Sequence, residues 1–65
     1  MTFFITLSKR DGYTWGLMYS KDRDYIERVF EDIAIPDEYE TAELCSTTED
    51  IDTYITFETI RTKKA

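Results

Sequence analysis

Phe3, Ile5 and Leu7 alternate with Phe4, Thr6 and Ser8 over residues 2–9. Over residues 13–19, Tyr13, Trp15, Leu17 and Tyr19 alternate with Thr14, Gly16 and Met18. A period of two in stretches rich in aromatic and β-branched residues predicts a strand in each. The period then changes: Tyr25, Ile26, Val29, Phe30 and Ile33 fall at i, i+1, i+4, i+5 and i+8, one face of an α-helix. Ser20 is placed to cap it, Asp22 and Asp24 put negative charge near its positive end, and Asp24 and Arg28 stand at i, i+4. Pro36 closes the element, so the helix is predicted over residues 21–34.

After a loop at residues 36–40, residues 41–46 read as a short strand with Ala42 and Leu44 inward and Glu43 and Cys45 outward. Ser46, Thr47, Thr48 and Glu49 fit a capping box, but the threonines allow at most one helical turn. Residues 53–62 hold four threonines and two isoleucines and read as a strand. Ile55 and Phe57 share one of its faces; Tyr54, Thr56, Glu58 and Ile60 share the other.

The turn between the first two strands sets what faces the helix. A two-residue Asp11-Gly12 loop would set Ile5 against Met18, continue the Phe3/Ile5/Leu7 face as Gly16 and Met18, and send the large aromatics to the other side. A three-residue Arg10-Asp11-Gly12 loop sets Lys9 against Tyr13, Leu7 against Trp15, Ile5 against Leu17 and Phe3 against Tyr19. That register separates a dry face from a wet one, and Gly12 takes the left-handed position such a loop needs. The three-residue loop is predicted, with Phe3, Ile5, Leu7, Trp15 and Leu17 under the helix.

The order is ββαββ, an α+β class domain with a four-stranded, mostly antiparallel sheet and one helix packed on one face. This element order resembles that of β-grasp domains, including immunoglobulin-binding bacterial domains of similar length. The local echo is the Val29-Phe30 pair in the middle of the helix, and no functional residue carries over. Sixty-five residues form a single domain, 1–65, with a stability of about 3 to 10 kcal/mol at ordinary per-residue values. With 42% apolar residues and ten aromatics the chain is too hydrophobic to be disordered.

The chemistry is sparse. There is no histidine, which removes Ser-His-Asp and Cys-His catalysis and the common zinc sites. Cys45 has acidic neighbours and no candidate base, and reads as a part-buried, inert thiol. Gly12 and Gly16 are the only glycines, so no phosphate-binding loop exists. Residues 49–52 lack the glycine and glutamate spacing of a calcium loop. No enzyme activity, cofactor or metal is expected. The apolar run at residues 2–7 is too short for a signal core or a membrane span. A lone cysteine fits a reducing compartment, so a cytoplasmic protein with no membrane partner is expected.

Charge carries the functional expectation. The net charge is −6, yet residues 1–28 hold five bases and four acids, while residues 29–60 hold ten acids and no base. Direct nucleic-acid binding is disfavoured because phosphates would be repelled. Glu38, Glu40, Glu43, Glu49, Asp50, Asp52 and Glu58 are the candidate partner-binding residues, a spaced row of carboxylates able to imitate a phosphate backbone. The profile resembles that of small acidic domains of phages and mobile elements, such as anti-restriction and anti-CRISPR proteins, which block host DNA-handling or defence proteins. The resemblance implies an inhibitor acting as a DNA mimic on a basic, nucleic-acid-binding protein. The alternative is a protein-interaction or dimerisation module using an apolar outer sheet face of Phe4, Met18, Tyr54 and Ile60, with the acids serving solubility.

Overall fold

A computed structural model describes residues 1–48 and 57–65. The elements are β1 (Thr2–Ser8), β2 (Thr14–Ser20), α1 (Arg23–Asp32), β3 (Thr41–Thr47) and β4 (Glu58–Lys64). They form a four-stranded sheet in the order β2-β1-β3-β4. Every neighbouring pair is antiparallel. β2 and β3 both oppose β1 and therefore run parallel to one another, and α1 carries the chain from one to the other across β1. The likeness to β-grasp domains rests on element order, and the sheet around β1 is antiparallel on both sides.

The hairpin loop has three residues. Gly12 N–H donates to the Lys9 carbonyl at 3.0 Å and Lys9 N–H to the Tyr13 carbonyl at 2.8 Å. Gly12 sits at φ 95°, and no other described residue has a positive φ. Lacking a Cβ, it enters this region without the clash an L side chain meets. The Asp11 carboxylate accepts from Tyr13 N–H at 3.0 Å and braces the turn. As expected, Leu7 lies opposite Trp15.

Beyond that point the expected register fails. A bulge between Ile5 and Thr6 leaves Leu17 as the extra residue, so Ile5 pairs with Met18, Phe4 with Tyr19 and Phe3 with Ser20. One inserted residue reverses the alternation beyond it. Met18 turns under the helix and packs on the core, whereas Trp15, Leu17 and Tyr19 are exposed. Leu17 is therefore not core and Met18 is not on the outer face; Trp15 keeps its expected partner Leu7 but stands at the open edge of the sheet and is not core either. Gly16, inside the strand with no side chain to pack, marks the site of the bend.

The core joins Phe3, Ile5 and Leu7 of β1, Ala42 and Leu44 of β3, and Ile26 and Phe30 of α1. Ile33, Ile35 and Tyr39 continue the packing after the helix. Asp22, not Ser20, is the N-cap, accepting from Tyr25 N–H at 3.1 Å; the Ser20 hydroxyl accepts from Asp22 N–H at 3.0 Å one step earlier. The i, i+4 ion pair is Arg23–Glu27 at 3.1 Å rather than Asp24–Arg28. The helix stops at Asp32, two residues short of the expected end, and Ile33 turns extended at φ −67°, ψ 135°. Its last turn holds no basic residue. Lys63 of β4 supplies one: its ammonium donates to the carbonyls of Phe30, Glu31 and Ile33 at 3.4, 2.9 and 2.9 Å.

β3 carries Ala42 and Leu44 inward, as expected, and extends through Ser46 and Thr47, where a capping box was expected. β4 is shifted relative to its predicted span, and residues 53–56 of that span lie outside the described residues. A second bulge makes Ile60 the extra residue between Thr59 and Arg61; Ile60 packs on the core and not on the outer face. Phe57 meets Phe4 edge-on, with ring centres 5.6 Å apart.

Candidate functional site

The seven candidate carboxylates do not form one described row. Glu38 and Glu40 lie in the α1–β3 connection, at the end of the sheet that holds the β1–β2 turn. Glu58 opens β4 opposite Ser46, at the other end. Ser46 lies six positions beyond Glu40, so strand geometry sets the two ends roughly 20 Å apart. Glu43 projects from the middle of the face away from the helix and accepts the Thr59 hydroxyl at 3.0 Å. Glu40 is held by Arg10 at 2.7 Å. Glu49, Asp50 and Asp52 lie outside the described residues.

Bases from both ends of the chain also reach the acidic half. Arg61 pairs with Glu31 at 2.8 Å and lies over the Phe30 ring, while Arg10 pairs with Glu40. The separation of charge along the sequence is thus partly undone in space. Among the described residues, no cluster of three or more acids or thiols is placed to hold a metal ion. No helix of the described residues is long and apolar enough to cross a membrane.

The outer-face patch is altered as well. Phe4 is buried on that face, Met18 has left it, and Tyr54 lies outside the described residues. Cys45, on the same face, is buried; burial pushes its thiol pKa up, against a lowering contact with Thr59, and nearby Glu43 adds to the rise. It has the low reactivity expected of a buried thiol.

Apolar surface is exposed somewhere else. Tyr13, Trp15, Leu17 and Tyr19 are 49, 52, 42 and 63% exposed, four of the seven exposed large hydrophobics among the described residues. All four sit on or beside β2, a sheet edge with no charged residue from Thr14 to Ser20. The opposite edge, β4, carries Glu58, Arg61, Lys63 and Lys64. Charge is the usual protection of an exposed edge, and β2 lacks it. The Leu17 bulge interrupts the row of outward backbone groups, so side chains rather than added strand pairing dominate what β2 offers a partner.

At the turn end of this edge the surface becomes concave. Lys9, Asp11, Tyr13, Trp15 and Tyr39 line a cleft of about 360 Å³. The Lys9 ammonium lies between two rings, 5.4 Å from the centre of Tyr13 and 5.5 Å from that of Tyr39. Sequence reasoning missed this site because it assigned Trp15 to the core. The bulge beside Gly16 does not account for it, since Trp15 pairs with Leu7 as expected; what exposes Trp15 is the edge position of β2, which the sequence did not reveal. No protein-family model, curated protein or solved structure matches the chain, so function is argued from these residues alone.

Proposed function

We propose that the chain is a protein-binding domain whose contact surface is the hairpin edge bearing Tyr13, Trp15, Leu17 and Tyr19. The observation that carries this reading is an uncharged edge strand with most of its large side chains in water, in a small domain whose other described strand hydrophobics are buried or part-buried. Tyrosine and tryptophan are the residues that most often anchor protein interfaces, since they cover much apolar area with few rotors. This keeps the interaction-module alternative but moves its surface from the outer sheet face to the β2 edge.

The carboxylate reading remains as the second proposal: an inhibitor that occupies a basic, nucleic-acid-binding protein through Glu38, Glu58 and the acids between them. The net charge of −6 favours it; the pairing of Glu40 with Arg10 weighs against it. One experiment separates the two. A photo-crosslinking residue is placed at Tyr19 or at Glu38, and adducts are collected from host lysate at low salt and at about 1 M, where the Debye length is about 3 Å. The edge reading expects a discrete adduct at Tyr19 that survives high salt and is lost with Trp15→Ala. An adduct found only at Glu38, and abolished by salt, would replace it with the carboxylate reading.

A further inference from the structure

The cleft at the turn is rich in donors and poor in acceptors. Among the described residues, the Trp15 indole N–H, the Lys9 ammonium and the Tyr13 and Tyr39 hydroxyls have no hydrogen-bond partner. The indole and ammonium can only donate. The one carboxylate, Asp11, already accepts from Tyr13 N–H through one oxygen. A fitting ligand therefore offers carbonyls, flat apolar surface and few N–H groups.

Proline meets all three demands. It brings a carbonyl and a ring but no backbone donor, and in a polyproline II helix its carbonyls make no internal hydrogen bonds. The spacing agrees too. Tyr13, the residue before β2, and Trp15 within it are two positions apart, roughly 6.7 Å at the rise of extended backbone. Two residues of a polyproline II helix advance roughly 6.2 Å. Adjacent aromatic rings can thus meet alternate positions of one extended ligand, as in other aromatic-lined grooves that accept such helices. The second Asp11 oxygen and the net charge of −6 favour a basic residue beside the prolines, and the Lys9 ammonium in the same cleft restricts that residue to the Asp11 carboxylate.

We propose that the Lys9–Tyr13–Trp15–Tyr39 cleft binds a proline-rich segment of a partner protein in the polyproline II conformation, with an adjacent arginine or lysine on Asp11. This rests on the protein-binding reading and names the chemistry of the partner. Trp15 is the only tryptophan, so its emission reports the cleft directly.

The test titrates the full chain with a synthetic decaproline carrying one terminal arginine, and with an equally long glycine-serine peptide carrying the same arginine. The decaproline peptide should shift Trp15 emission to the blue and move its indole N–H resonance, both saturably. The glycine-serine peptide should do neither. Trp15→Ala should remove peptide-induced resonance shifts, Tyr13→Ala should weaken binding about tenfold, and Tyr25→Ala, an exposed aromatic on the helix away from the cleft, should leave it unchanged. Asp11→Asn should weaken the arginine-bearing peptide and leave plain decaproline unaffected. No saturable shift, or an equal response to both peptides, overturns the proposal. A Trp15 shift that grows with protein concentration alone, with a dimer in sedimentation, assigns the cleft to a second copy and also overturns it. If the peptide fails while the Tyr19 adduct persists at high salt, only the ligand class falls and the protein-binding reading stands.

Discussion

Replacing Lys63 with methionine tests how the helix is held to the sheet. The first four N–H groups and last four C=O groups of a helix have no partner within it, and the carbonyl end carries partial negative charge. Here that end also holds Glu31 and Asp32 and no local base. Lys63 opposes Ala42 on the helix side of β4, and its ammonium reaches three carbonyls between 2.9 and 3.4 Å. Hydrogen bonds with one charged partner contribute about 1.5 to 3 kcal/mol, so the loss in Lys63→Met should be about 2 kcal/mol. Methionine keeps most of the aliphatic stem, which limits the change to the ammonium. For a domain of this size that lowers the melting point by roughly 10 to 15 °C, and the urea midpoint by about 2 M at a slope of about 1 kcal/mol/M. Lys64→Met is the control: it makes the same change in net charge at an exposed side chain and should stay within about 0.5 kcal/mol of the parent. Circular dichroism melts and urea titrations of the three proteins decide it. Equal effects of the two substitutions would refute the capping argument and leave only net charge.

Gly12→Ala should cost about 1 kcal/mol from backbone conformation alone, because φ is 95° and nothing lies within 4 Å of the added Cβ; an unchanged melt would mean the loop does not hold this geometry. Met18→Ala should destabilise more than Leu17→Ala, since the bulge puts Met18 against the core and Leu17 in water; the reverse order would restore the unbulged register. Cys45 should label slowly with a thiol reagent in the folded protein and quickly in urea. Its raised thiol pKa favours the neutral form in the folded state, so that stability is full below the unfolded pKa and declines above about pH 9. Cys45→Ala should remove that alkaline component, and an identical pH profile in the two proteins would contradict it.

The fold was largely readable because each local signal agreed with its neighbours. Alternation, the helical period and Gly12 in the turn fit one arrangement, which is ββαββ. Two single-residue insertions escaped. A bulge at Leu17 and another at Ile60 leave composition and local propensity unchanged, yet each reverses the facing of the later residues in its strand. Period-two reasoning assumes an uninterrupted ladder, and it placed Leu17 in a core that Met18 enters instead; Trp15 has the predicted partner and is exposed because β2 is an edge strand. Phe4 escaped for another reason. A sheet with one helix was expected to have one dry face, but Phe4 and Cys45 are buried on the second face, where Phe57 packs against Phe4.

The fold redistributes the charge pattern of the sequence, and topology explains how. Along the sequence the ten acids of residues 29–60 form a run with no base inside it, but an antiparallel sheet returns distant segments to one another. β4 runs back along β3 and delivers Arg61 and Lys63 to the last turn of α1, whose residues lie about thirty positions earlier. The β1–β2 turn brings Arg10 to Glu40 at the start of β3. Two acids of the base-free run, Glu31 and Glu40, therefore meet counter-charges within the fold. A hydrophobic surface is not neutralised this way, because folding hides apolar groups only where the core has room. The core here is closed by Met18, Ile60 and Tyr39 before the β2 aromatics reach it. Four large side chains stay outside on an edge without charge, which is what favours the edge over the acids in the reading we propose.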